Sequence, residues 1–489
     1  MSSLVDIRYK VRNDSIADLI GIENIQTTAD IEKYRDEGYV IGYTISEFKE
    51  KFPLIDATKI FFCPNELSPT YYFDKEKYIL FPVHLFGTQS MSLRDDFETD
   101  INNTVKQFVK LTTGNDYSPA YIALNDRMRV EYIKLLLEGG KTEGVYKTFK
   151  DFYKSSDYGC NSISHSDMKK LMELKTSEDK EETALLIKEL PNDVIVYRGE
   201  GDRSSPAEQA YSWSLDINQA NLFAARYGYQ SKIIKAKTSK NKVLEYFDVE
   251  KECLIMPEDI TVIETMELYG EGFYKALPKK VKVIYHYYRD VMAQFLKFKT
   301  EKDHDMPHSA RVLFICLVLA YLYELDIEST KILAEAAISH DLGRVHDGED
   351  DTHGYKSAEL YKNNCKIINI AFRAQMEQGD FALRDNWKNA IEYDFVDFLI
   401  CYHCLPDEIG FEKIKQNAEK YQEWRDKEEK ITLLYKIFKD ADGLDRVRLG
   451  NILGDLDLNQ IRLPESKRMT LLARILFENL KVEKIKSQL

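Results

Sequence analysis

The chain reads as a multidomain protein of α and α+β class. It has an α+β region over 1–140, a β-rich domain with a mixed or antiparallel sheet over 141–278, and an all-helical domain over 279–489. Three observations carry that reading. The length, 489 residues, exceeds what one hydrophobic core serves. From about residue 190, short β-type runs follow one another: NDVIVYRG, AYSWSLD, SKIIKAKTS, NKVLEYF, ECLIMP and ITVIETMEL. From about residue 280 apolar residues recur at helical spacing, and LPKK at 277–280 marks the change.

In the first region, YYFDKEKYILFPVHLFG (71–87) suits strands, and 100–150 suits helices. VEYIKLLLEGG (130–140) ends on a glycine pair, which fits a helix stop. No chemistry is legible in 1–140. In the middle region one helical segment, INQANLFAARYG (217–228), interrupts the strands. In the last region His308–Leu325 predicts one helix and Ser329–His340 another, with Asp326 or Ser329 as N-cap and Gly343 as stop. Segments 354–363, 385–404, 429–440 and 467–482 predict further helices.

Composition excludes some functions. There are 82 acidic against 68 basic residues, a net charge of −14, so broad nucleic-acid binding is disfavoured. Seven cysteines, an odd number without framework spacing, point to a reducing compartment. MSSLVDIRYKVRND carries no apolar signal-peptide core. The longest apolar run, Val312–Tyr323, is too short for a membrane span and predicts a buried helix.

The residues richest in chemistry lie near the C-terminus: His308, the pair His340-Asp341, His353, His403 and KDADGLDRVR (439–448). Imidazole and carboxylate together suit Mn, Mg, Fe, Ni or Zn. His308 opens one predicted helix and His340-Asp341 closes the next, so two antiparallel helices bring those ends together. A later carboxylate then completes the set and leaves positions open for water and a phosphate oxygen.

The order HSARVL, AAISHDLGRVHDGED, HGYKSAEL, CYHC, DADGLDRVR resembles the HD-domain metal-dependent phosphohydrolases over roughly 300–485. The resemblance implies an all-helical fold and hydrolysis of a phosphoester. It implies His308, His340, Asp341 and Asp442 as metal ligands, with Asp440 as fallback for the last. It implies that His353 and His403 hold a second ion or steer the leaving phosphate. Arg344 suits a clamp on a phosphate oxygen, and Asp347 and Asp351 suit orientation of the histidines. Cys401 and Cys404 form a lone CxxC, which reads as core cysteine rather than a zinc site.

The middle region offers Arg198 in VYRGE, Ser212-Trp213-Ser214 in AYSWSLD, and Glu250-Lys251-Glu252 in VEKECLIMP, each expected on a strand. An arginine at a strand end can hold a pyrophosphate. A hydroxyl can support a carboxylate, and a carboxylate can stabilise an oxocarbenium-like centre. The order Arg, Ser-x-Ser, Glu-x-Glu resembles the Arg–Ser–Glu class of ADP-ribosyltransferases over roughly 145–275, and FYKSSDYGCNSI (152–163) is similar to the segment that opens such domains. The resemblance implies NAD as co-substrate. Arg198 would meet its phosphates, Ser212 and Ser214 would support the site, and Glu252 would be catalytic. Glu250 would act on the acceptor and Phe247 would recognise it. The chain departs from the pattern in the short step of 14 residues from Arg198 to Ser212, and in Trp213 at the centre of the Ser motif.

Together the resemblances imply a bifunctional enzyme, a metal-dependent phosphodiesterase joined to an NAD-dependent mono-ADP-ribosyltransferase with a protein acceptor. Both parts would act on an ADP-ribosyl or nucleotide substrate. The alternative is an HD nucleotide phosphohydrolase regulated by a non-catalytic NAD- or nucleotide-binding middle domain. The expected setting is the cytoplasm, or the host cytosol for a bacterial effector or toxin.

Overall fold

A computed structural model describes 126–155, 163–201, 204–226, 230–295, 306–346, 348, 350–363, 390–449 and 456–486. Before 126 it describes 23–24, 40–41, 45–51, 53, 56–62, 70–74, 79–82, 86–87, 99, 103 and 117. Contacts divide the chain into two compact units. One comprises Met1–Val196, Arg203–Leu215 and Ala236–Val262, and the other comprises Tyr197–Asp202, Asp216–Lys235 and Ile263–Leu489.

In the first unit, β1 (Glu23–Asn24), β3 (Ile60–Phe62), β4 (Thr70–Asp74) and β5 (Ile79–Pro82) form an antiparallel sheet in that order, while β2 (Val40–Ile41) pairs β6 (Phe86–Gly87). The aromatic run at 71–73 is buried on β4. Four helices follow: α1 (Asp126–Glu138), α2 (Val145–Ser155), α3 (His165–Glu173) and α4 (Ser177–Leu186). Helix α1 stops where the glycine pair predicts, because Gly140 takes φ +68°, which a side chain resists. Thr176 and Asp179 cap α4 reciprocally. The core joins Tyr132, Tyr146, Phe149, Phe152, Met168 and Leu171 to Tyr211, Phe247, Leu254 and Met256.

The β-type runs of the middle region all form strands: β7 (Asp193–Gly201), β8 (Ser212–Ser214), β9 (Ser231–Ser239), β10 (Val243–Phe247), β11 (Glu252–Ile255) and β12 (Thr261–Glu267). Their order in the sheet is β10-β11-β8-β7-β9-β12. Strands β10, β11 and β8 pair antiparallel, with Glu252 opposite Ser214 and Cys253 opposite Trp213. Side chains alternate across a strand, so Ser212, Ser214 and Glu252 share one face and buried Trp213 takes the other. Strands β7, β9 and β12 contribute residues to both units.

The second unit is helical around one core. Helix α5 (Ile217–Arg226), which the sequence groups with the middle region, places Ala220, Ala224 and Ala225 in the core built by the C-terminal helices. Asn218 donates to Asp457 at 2.8 Å and accepts from the Leu458 amide at 2.8 Å. Gly199 lets β7 reach α5, since a Cβ there would lie 1.9 Å from the Ala220 carbonyl oxygen. Then come α6 (Lys279–Phe295), α7 (Met306–Leu322), α8 (Ile327–Ser339), α9 (353–363), α10 (Ala390–Tyr402), α11 (Asp407–Lys420), α12 (Glu428–Leu444) and α13 (Thr470–Lys486).

Every residue of α7 from His308 to Ala320 is buried, because α6, α8, α12 and α13 pack around it. That is why its sequence is apolar on all sides. Among the described residues no helix is long and apolar enough to cross a membrane. Asp326 caps α8 by accepting from the Ser329 amide at 2.7 Å.

Candidate metal centre

Helix packing brings three sequence-distant residues together. His308 lies in the first turn of α7, His340 caps the C-terminus of α8, and Asp442 sits in the last turn of α12. The Nε2 atoms of His308 and His340 are 3.0 Å apart. Asp341 Oδ2 lies 3.4 Å from His308 Nε2 and 3.6 Å from His340 Nε2. Asp442 Oδ1 lies 3.4 and 3.8 Å from the same two nitrogens. The alternative carboxylate, Asp440, is engaged elsewhere: it accepts from the amides of Arg462 and Leu463 and from the Arg462 guanidinium.

A second pair stands beside the first. His353 opens α9, His403 follows α10, and their Nε2 atoms are 2.9 Å apart. Asp341 turns its other oxygen, Oδ1, toward them, 3.3 Å from His353 and 3.8 Å from His403. One buried carboxylate therefore faces both pairs. Two glycines permit the close approach. A Cβ on Gly354 would lie 2.6 Å from the Cys401 carbonyl oxygen, and one on Gly343 would lie 2.5 Å from the Ser357 amide.

All four imidazoles are anchored through Nδ1. The acceptors are the carbonyls of Ala337 for His340 (2.8 Å), Ile400 for His403 (2.7 Å) and Asp350 for His353, and the Asp445 carboxylate for His308 (2.7 Å). Carbonyls and carboxylates only accept, so each Nδ1 carries a proton and each Nε2 lone pair points inward. Paired lone pairs at such distances repel unless a cation lies between them.

The electrostatics agree. Burial raises the Asp341 carboxyl, but the four imidazoles around it outweigh burial and hold it well below the usual range. Asp442 is lowered likewise, by His340, His308 and His403 against burial. Burial drives His340 down to about 3, so its imidazole is neutral at physiological pH. His308 is raised: burial and Arg448 oppose its charge, but Asp341 and Asp445 outweigh them.

Asp445 backs His308, a placement that sequence reading missed. It is fully buried and binds His308, Arg311 Nε at 2.5 Å, Arg311 Nη2 at 3.0 Å and Arg448 Nη1 at 3.3 Å. The only sequence signal is spacing: Arg311 follows His308 by three positions and Asp445 follows Asp442 by three, one helical turn in each case. Arg344 donates to the Gly348 carbonyl at 2.9 Å, and its Nη1 lies 3.3 and 3.4 Å from the two ring nitrogens of His353. The Asp351 carbonyl accepts from Cys404 Sγ at 3.6 Å. Asp347 lies outside the described residues.

In the other unit, Ser212 donates to Glu252 Oε1, and Tyr153 from α2 donates to the same oxygen at 2.5 Å. Tyr153 stacks on Phe247 with centroids 5.0 Å apart. The sequence gives no direct sign of Tyr153, because its approach depends on how α2 packs. Glu252 begins β11, but Glu250 lies in the exposed turn before it and not on a strand. That turn closes with Lys251 at φ +49°, a left-handed conformation costing about 1–2 kcal/mol outside glycine. Ser214 donates to the Glu250 carbonyl at 2.9 Å and so braces the turn. Arg198 is buried on β7, within the stretch of that strand counted in the helical unit.

Comparison with protein-family models, with curated proteins and with solved structures finds no match for this chain.

Proposed function

We propose that the helical unit is a metal-dependent phosphohydrolase of the HD type, with His308, His340, Asp341 and Asp442 as ligands. One observation supports it most: inward Nε2 lone pairs converge on a buried carboxylate, an arrangement that fits Mn, Mg, Fe, Ni or Zn. A bound divalent ion would supply a Lewis acid and an acidified water. The chain's own residues do the remainder. Asp445 and the Ala337 carbonyl hold the first two imidazoles in register. Arg344, beside His353, offers donors to a phosphate oxygen. The test is hydrolysis of a generic phosphodiester by metal-stripped protein, with and without added Mn or Zn. Activity that needs the ion and vanishes in His340→Ala supports the reading. Binding of no metal by purified protein would sink it.

A second reading concerns the other unit, because Glu252 receives two hydroxyls as a held carboxylate would. We infer NAD-dependent ADP-ribosyl transfer, with Glu252 stabilising the cation formed as the glycosidic bond breaks and Ser212 and Tyr153 orienting it. An ADP-ribosyl product carries a pyrophosphate of the kind the helical unit would hydrolyse. Nicotinamide release by wild type but not by Glu252→Gln supports this. Equal release, or none, favours the alternative of a hydrolase with a non-catalytic nucleotide-binding region.

A further inference from the structure

We propose that Cys404 is a metal ligand, and that His353, His403 and Cys404 form a second, thiolate-containing site bridged to the first centre by Asp341. The ligand atoms of His353, His403 and Cys404 lie within 4.8 Å of one another. Tetrahedral zinc with bonds of about 2.0–2.3 Å needs ligand atoms about 3.3–3.6 Å apart, so modest shifts close the set.

Three features point to a site here. His353 and His403 are buried, and their Nδ1 protons are committed to carbonyls, which leaves both lone pairs facing the same space. Asp341 Oδ1 faces that space while Oδ2 faces the first pair, so a fourth ligand and a bridge come from one carboxylate. At Gly354 a side chain would hold α9 away from the end of α10. Arg344 Nη1 lies 3.3 Å from His353 Nε2 and 3.4 Å from Nδ1, so it withdraws from the ring when an ion binds.

Cys404 changes the chemistry. A set of two imidazoles and a carboxylate accepts Mg or Mn, whereas a thiolate selects zinc, iron or cobalt. The two centres would then differ in preference, the first tolerant and the second thiophilic. On binding, the Sγ proton leaves to solvent and the Asp351 carbonyl loses its weak donor. This inference rests on the reading of the first centre proposed above.

Cobalt substitution of the full chain tests it. Wild type should bind two cobalt ions and show a thiolate-to-cobalt charge-transfer band in the near ultraviolet. Cys404→Ser should lose the band, and Cys401→Ser should keep it. In wild type alone, zinc should slow alkylation of Cys404 severalfold, read by mass spectrometry. A band that survives Cys404→Ser, or Cys404 alkylation indifferent to zinc, overturns the proposal. One cobalt per chain without the band overturns the thiolate site and leaves the first centre standing. No cobalt at all overturns both.

Discussion

Asp445→Asn isolates the support of the first centre from its ligands. In wild type the carboxylate accepts the His308 Nδ1 proton and also faces Arg311 and Arg448, all buried. Asparagine keeps the shape but replaces one acceptor oxygen with a donor amide. If the amide oxygen stays with Arg311, the NH2 group meets the His308 N–H, and two donors oppose each other. His308 can relieve this by moving its proton to Nε2, which removes the lone pair a metal needs. Loss of such an outer partner costs about 10–100-fold in metal affinity, or about 1.4–2.7 kcal/mol. The charge of Arg311 is also left without its counter-ion, and breaking a buried pair costs roughly 3–5 kcal/mol of stability. The assay is competitive zinc titration against a chelating indicator, beside a thermal melt of metal-free protein. Affinity equal to wild type in a folded variant would refute the assignment of Asp445 as the residue that sets the His308 tautomer.

Other outcomes follow from the same geometry. Glu245, fully buried on β10, accepts from Tyr146, Thr183 (2.9 Å) and Lys175 (3.0 Å), so Glu245→Ala should cost roughly 3–5 kcal/mol in urea unfolding by stranding Lys175. Burial raises the Glu245 carboxyl, but Tyr146 and Lys175 outweigh it and hold the folded value below the usual range. Its stabilisation is therefore complete above the unfolded value and fades as pH falls through the folded one. Glu245→Gln should flatten that part of the acid-unfolding curve, and an unchanged curve would count against the network. Saturating zinc at about 100 times its dissociation constant should add about 2.7 kcal/mol to the helical unit, and a chelator should remove it, read by melting temperature. Gly354→Ala should separate His353 from His403 and lower metal stoichiometry while the first centre still binds its ion; unchanged stoichiometry would show that the close approach is dispensable.

Much of the site was legible because helix ends are legible. His308 follows the start of one apolar period and His340 closes another, so antiparallel packing alone predicts their meeting. All six β-type runs became strands for the same local reason, an apolar and β-branched texture bounded by turns. Glu250 did not, because the turn that joins β10 to β11 needs four residues and absorbs it.

Sequence alone gave the six middle strands, several of the C-terminal helices, and His308, His340, Asp341 and Asp442 as the candidate set that the helix packing brings together. Tertiary structure decided what local pattern cannot encode. It engaged the fallback Asp440 with Arg462, 22 residues away, and left the preferred Asp442 beside the histidine pair. It drew α5 into the helical core through three alanines. It set Asp445 behind His308, Tyr153 against Glu252, and Cys404 beside His353. Each of these depends on the distance between side chains on separate elements, and packing alone fixes that distance.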